Sequence, residues 1–207
     1  LNLSNKIVGP REINSGFTSP GYKLCIFRNE ELYKVLIHEL IHYLNLDLGF
    51  ITSNTMHYHL NIHPNTEIRI NEAYTELMAL VIISIINSYH QRKNMALYKT
   101  ILNNELKFNL FNVSKLLVYF GFESADDFFR PYNSDKFKQT TSACSYFIIK
   151  TALLFNLNND TITEEYMIQC LTQEFKNTIN SIMNQIKEKK QSKVLFNTLR
   201  MSLYEFN

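Results

Sequence analysis

Residues Val35–Leu44 read VLIHELIHYL, two histidines and a glutamate set among bulky apolar side chains. On a helix His38 and His42 lie one turn apart on the same face, so both imidazoles can point at one object roughly 2 Å from each ring nitrogen. Glu39 is rotated by about 100° from His38 and flanks that object. Leu32, Val35, Leu36, Ile37, Leu40, Ile41, Tyr43 and Leu44 cover the other directions, which predicts a helix buried on nearly all sides. Its polar trio then needs a partner, because an unpaired buried polar group costs on the order of 1 to 3 kcal/mol. A Zn2+ ion supplies one: two neutral imidazoles bind it, and the carboxylate of Glu39 holds and deprotonates its water.

A catalytic zinc takes three protein ligands and keeps one position open. Ile70–Glu76, INEAYTE, offers the third. Glu72 and Glu76 share a helix face, where like charges repel by a few tenths of a kcal/mol unless something positive lies opposite. The apolar run Leu77–Ile86 follows at once and must be buried, which places both carboxylates at the rim of a buried helix. The bland alternative is two solvated glutamates on exposed first turns. The loop histidines His57, His59 and His63 are another source for the third ligand, since imidazole serves zinc as well as carboxylate does. A metzincin arrangement fits poorly: Asn45 and Leu48 stand where Gly and His are required, and Asp47 is one position off for the variant that uses Asp.

HELIH followed by NEAYTE resembles the gluzincin group of zinc metallopeptidases, whose pattern is H-E-x-x-H with N-E-x-x-S/T-D/E on a second helix. The resemblance covers these two motifs and their order. It implies that His38, His42 and Glu72 bind zinc and that Glu39 is the general base. It further implies that Glu76 accepts a hydrogen bond from a ligating histidine, and that Asn71 helps to fix the backbone. It also places an upstream strand, Tyr22–Arg28, along the cleft to pair with an extended peptide, and a downstream Tyr or His at the oxyanion, for which Tyr146, Tyr132, His90 and the loop histidines all qualify. Twenty-nine residues separate His42 from Glu72, more than in thermolysin-like members, so substrate-site details do not carry over.

The elements that must position these residues are mainly helical. Residues 1–21 read as an irregular arm and Tyr22–Asn29 as a strand. Asn29 is suited to cap a helix over Glu30–Leu48, with Gly49 as its stop. A second helix runs from about Pro64 to Arg92. Further helices are predicted over Met95–Phe120, Ser124–Phe129, Lys136–Phe155, and from Thr161 towards Lys190, where Thr161 and Glu164 have capping-box spacing. A short one over Ser192–Tyr204 closes the chain. With no repeat and no low-complexity linker, residues 1–207 read as one zincin-like catalytic domain of α+β class, predominantly α-helical. Residues 1–65 hold the small N-terminal β element, active-site helix and loop; residues 66–207 form the helical part.

Composition bounds the function. The 207 residues are 45% hydrophobic, enough for one substantial core. A net charge of +2 with 19% charged residues gives no basic surface for nucleic acid. Leu77–Ile86 is about half the roughly 20 residues of a membrane span and reads as a core helix. Three cysteines, Cys25, Cys144 and Cys170, without paired spacing argue against a disulfide framework and favour an intracellular, reducing compartment. The expected partner is a peptide or protein substrate, with oligomeric state left open. The competing reading from another class is a catalytically silent zincin-fold protein acting as a binding or structural module. An intact Glu39 argues against it, because a structural zinc needs no base.

Overall fold

A computed structural model describes residues 7–29, 31–47, 56, 68–92, 95–130, 136–158, 161–188 and 199–203. It opens with a single helical turn, α1 (Pro10–Ile13), in which Pro10 stands at the start and the Glu12 carboxylate accepts from Gly9 N at 2.9 Å. β1 (Gly16–Ser19) and β2 (Lys23–Ile26) then pair antiparallel with Gly16 opposite Ile26 and Ser19 opposite Lys23. Ser19-Pro20-Gly21-Tyr22 closes the hairpin: Tyr22 N donates to Ser19 O at 3.0 Å and Gly21 has φ 68°. Pro at the second position and a left-handed Gly at the third are what a type II turn demands. Half of the sheet therefore comes from the arm expected to be irregular, because Pro20-Gly21 is a turn between two short strands and not the end of a loop.

The helix that carries the HELIH motif, α2, spans Leu32–Tyr43, shorter at both ends than Glu30–Leu48. Asn29 contributes only its backbone carbonyl, which accepts from Leu32 N, and Glu31 enters the helix in the left-handed region at φ 61°. At the other end Asn45 has φ 55°, Asn45 N donates to His42 O, and Leu46 N donates to Ile41 O, both at 3.0 Å. These are the bonds of a helix closed by a left-handed residue, and Asn is the residue after Gly that tolerates that conformation. The helix is not buried all round. Leu32, Leu36, Leu40 and Leu44, at successive spacings of four, form an exposed stripe, because the hairpin and the following helix cover only the other sides.

Among the described residues the rest of the chain is helical: α3 (Ile70–Arg92), α4 (Met95–Phe120), α5 (Ala125–Phe128), a π-helical stretch (Cys144–Ile149) that continues into α6 (Lys150–Phe155), α7 (Glu164–Gln169) and α8 (Gln173–Glu188). The fold is mostly α with a two-stranded antiparallel sheet. α4 has the expected bounds, ended by Gly121 at φ 82°. Lys136–Phe155 does not form one helix. Gln139 makes a parallel bridge to Val8 instead, and the helical part begins near Ala143. The helix expected from Thr161 onward is two helices, because Thr163 caps α7 through Tyr166 N and Thr172 caps α8 through Phe175 N, both at 3.1 Å. Leu199–Leu203 is not helical.

α2 packs on α3 and the hairpin, α3 on α4 and the π-helix, and α4 on α8. One apolar cluster draws on residues from Val8 to Met201, including Phe120, Phe128 and Phe129. Ile70–Gln91 is long and apolar enough to cross a membrane by length and composition, yet 56% of an 18-residue apolar stretch within it is buried inside the protein. Met56 is buried in the same cluster. His57, His59, His63 and Tyr132 lie outside the described residues.

Candidate metal centre

α2 and α3 bring three donor atoms together. His38 Nε2 lies 3.0 Å from His42 Nε2, and Glu72 Oε2 lies 3.4 Å from the first and 3.2 Å from the second. The tautomer of one ring follows from its partner. His42 Nδ1 is 2.8 Å from Asp47 Oδ2, so in the neutral ring that nitrogen carries the proton and Nε2 presents the lone pair. Two ring nitrogens and a carboxylate oxygen converging in this way repel one another unless a proton or a cation sits between them. A proton on His42 is one way to meet that need. Burial works against charge on His42, but its hydrogen bond and proximity to Glu72, then those to Asp47, outweigh it and raise the pKa to about 9. Glu72, likewise opposed by burial, is held below the usual carboxylate range by its hydrogen bonds to His38 and His42.

The donor set fits zinc. Bonds of about 2.0 to 2.1 Å in a tetrahedron separate neighbouring ligand atoms by about 3.3 Å, and the three observed separations run from 3.0 to 3.4 Å. Two imidazoles and a carboxylate also suit its borderline softness. His38, His42 and Glu72 are the residues that could hold a metal ion.

The supporting residues only partly follow the sequence pattern. Glu76 is buried, which removes the solvated-glutamate alternative, but it hydrogen-bonds to Lys34, whose Nζ donates to both carboxylate oxygens at 2.8 Å. Its Oε1 stands 3.7 Å from His38 Nδ1, beyond a hydrogen bond. The residue bonded to one of the two candidate ligand rings is Asp47, weighed from the sequence only as an off-register metal ligand. The left-handed turn at Asn45 folds Asp47 back onto His42, and Asn71 Nδ2 donates to the same Oδ2 at 3.1 Å. Asn71 thus ties the start of α3 to the end of α2.

Glu39 faces the hairpin. Thr18 Oγ1 donates to Glu39 Oε2 at 2.6 Å, and Gly16 lies so close that a Cβ there would stand 2.8 Å from Glu39 Oε1. β1, not the expected Tyr22–Arg28, lines the open cleft, together with His38, Glu39, His42, Arg69, Asn71, Glu72 and Tyr146. Of the four sources proposed for an oxyanion donor, Tyr146 is at the site: its hydroxyl donates to Glu72 Oε2 at 3.0 Å and its ring is 6.1 Å from that of His38. Burial, followed by the charges of Glu72 and Glu76, pushes its pKa well above the ordinary value, so it remains a donor. It belongs to the π-helical stretch, a widened turn often found at functional sites. Ser145 beside it accepts from Arg69 N at 3.1 Å, which anchors the entry to α3. His90 is exposed, 18 residues beyond Glu72 and so about 27 Å along the helix.

No family model and no solved structure matches the chain. It is similar to an uncharacterized protein of Acanthamoeba polyphaga mimivirus, 26% identical over 148 residues, an alignment that covers 66% of this chain and 37% of that protein. The chain thus spans little more than a third of the length of the relative it matches.

Proposed function

We propose that this chain is the catalytic part of a zinc-dependent metallopeptidase whose centre is similar to that of gluzincins. The observation that carries the reading is the convergence of His38, His42 and Glu72 beside Glu39 in a cleft bordered by a strand. Zinc held there supplies a water acidified towards neutrality and a Lewis acid for the scissile carbonyl. Glu39 takes the proton from that water and passes it to the leaving amine, with Thr18 fixing the carboxylate that does so. The Tyr146 hydroxyl, kept protonated by its surroundings, is placed to turn from Glu72 towards the oxygen on which negative charge develops. β1 offers backbone groups to an extended peptide, which would give affinity with little dependence on side chains.

Metal analysis with peptide cleavage tests the reading. Wild type is expected to hold one zinc per chain and to cleave a broad peptide library. His38→Ala and Glu72→Ala are expected to lose the metal, and Glu39→Gln to keep it while losing cleavage by at least a hundredfold. One tightly bound zinc without cleavage of any peptide would instead favour the silent binding module, and absence of stoichiometric metal in wild type would remove both.

A further inference from the structure

Behind the metal-ligand triad five ionisable side chains are buried: Glu31, Lys34, Glu76, Glu105 and Lys150, none more than 6% exposed. Taking charges out of water costs several kcal/mol each unless they are paired, and here each is partnered. Lys34 clamps both oxygens of Glu76. Lys150 Nζ donates to Asn109 Oδ1 at 2.5 Å and to the Met201 carbonyl at 3.0 Å. Glu31 accepts from Ser202 Oγ at 2.5 Å, and both oxygens of Glu105 accept from Leu203 N at 3.0 Å. The cluster thereby joins α2, α3, α4, α6 and the segment Leu199–Leu203.

Peptide hydrolysis of the kind described above has no step for a buried lysine. Its position suggests another use. Lys34 lies one helical turn before His38 on α2, and Glu76 one turn after Glu72 on α3, so the ion pair crosses between the same two helices as the ligands. Glu76 is also the carboxylate next to His38 Nδ1, a buried nitrogen with no hydrogen-bond partner. The two ligating rings are therefore supported unequally: Asp47 is bonded to His42, whereas the carboxylate nearest His38 is held back by Lys34.

We propose that Lys34 is a positioning residue of the metal centre, which acts through Glu76 to fix the α2–α3 spacing and the orientation of the His38 ring. The inference rests on the metal-centre reading above. Removing Lys34 unclamps the buried Glu76 carboxylate, which stands 3.7 Å from His38 Nδ1 without bonding to it, so the ring loses its fixed neighbour and the two helices lose their tie. The loss of metal affinity expected is of the size that outer-shell changes produce, about 10- to 100-fold.

Cobalt(II), whose visible absorption reports ligand geometry, is the probe, titrated into the whole chain against a competing chelator. Lys34→Met and Glu76→Gln are each expected to weaken binding about tenfold or more and to alter the absorption band, with far-ultraviolet circular dichroism unchanged. The double variant is expected to bind no more weakly than the weaker single, because both substitutions break one linkage. A folded Lys34→Met protein with wild-type affinity and band overturns the inference, as do losses that multiply in the double variant. Should Lys34→Met not fold, the double variant decides alone, since it removes both charges together: a tenfold loss supports the role, and wild-type behaviour overturns it. Failure of wild type to bind cobalt is a distinct result that removes the metal centre and this inference with it.

Discussion

At the proposed metal centre a proton and the ion would compete for His42 Nε2. Because Glu72 and Asp47 raise this ring to about 9, its ionic contacts in the metal-free protein contribute fully below the unfolded value of 6.5 and are lost as pH rises through about 9. The depressed Glu72 contributes above its ordinary 4.5 and is lost as pH falls towards its lowered value. Metal must displace the His42 proton, so zinc affinity measured by chelator competition is expected to rise about tenfold per pH unit between pH 6.5 and 9 and then level off. A flat profile over that interval would contradict the protonated ring. Asp47→Asn is expected to weaken zinc binding 10- to 100-fold and to shift the levelling-off to lower pH. Of the residues that the sequence proposes for the site, His38 and His42 are legible because helical spacing alone puts them on one face, whereas the roles of Glu39 and Glu72 come from the resemblance of the two motifs to gluzincins. Asp47, Thr18, Gly16 and Lys34 are not legible, because a turn at Asn45 or contacts across 20 or more residues bring them in, and no local pattern encodes either.

At the level of elements, two backbone features hold these residues. Asn45 ends α2 with φ 55°, a conformation that costs most residues about 1 to 2 kcal/mol. Asn45→Val is expected to lower stability by roughly that amount and to weaken zinc binding by displacing Asp47, whereas Asn45→Gly is expected to leave both near wild type. Thermal unfolding with and without zinc distinguishes them, and equal behaviour of the two variants would show that the turn does not place Asp47. In β1, an added Cβ at Gly16 meets both Glu39 Oε1 at 2.8 Å and the backbone oxygen of Cys25 at 2.9 Å. Neither the strand nor the Glu39 carboxylate can keep its place. Gly16→Ala is therefore expected to reduce kcat at least tenfold while leaving zinc content intact, a split that zinc analysis beside kinetics checks directly. Element boundaries were legible where one apolar period runs unbroken, as over Met95–Phe120. They were misread where a competing side-chain cap intervenes, as at Thr172, or where tertiary pairing claims the chain, as at Gln139 with Val8.

Across the whole molecule, the proposed donors come from two helices that meet only when the chain is folded, so an ion held by them would bind the native state and add to its stability. At a free zinc concentration a thousandfold above Kd the gain is about 4 kcal/mol. For a chain of this size each kcal/mol moves Tm by roughly 2 to 4 °C, so chelation is expected to lower Tm by about 8 to 16 °C. His38→Ala and Glu72→Ala are expected to show no such shift. A core substitution provides the contrast. Phe175 on α8 is fully buried against Phe155 and is not among the residues lining the cleft. Phe175→Ala should cost about 3 to 5 kcal/mol, lowering Tm with and without zinc. Distant sites add, so the zinc-dependent increment should survive in Phe175→Ala at about its wild-type size. An increment that vanished there would mean that the donor triad forms only as part of one indivisible packing unit, and that the cleft has no stability of its own apart from the helices behind it.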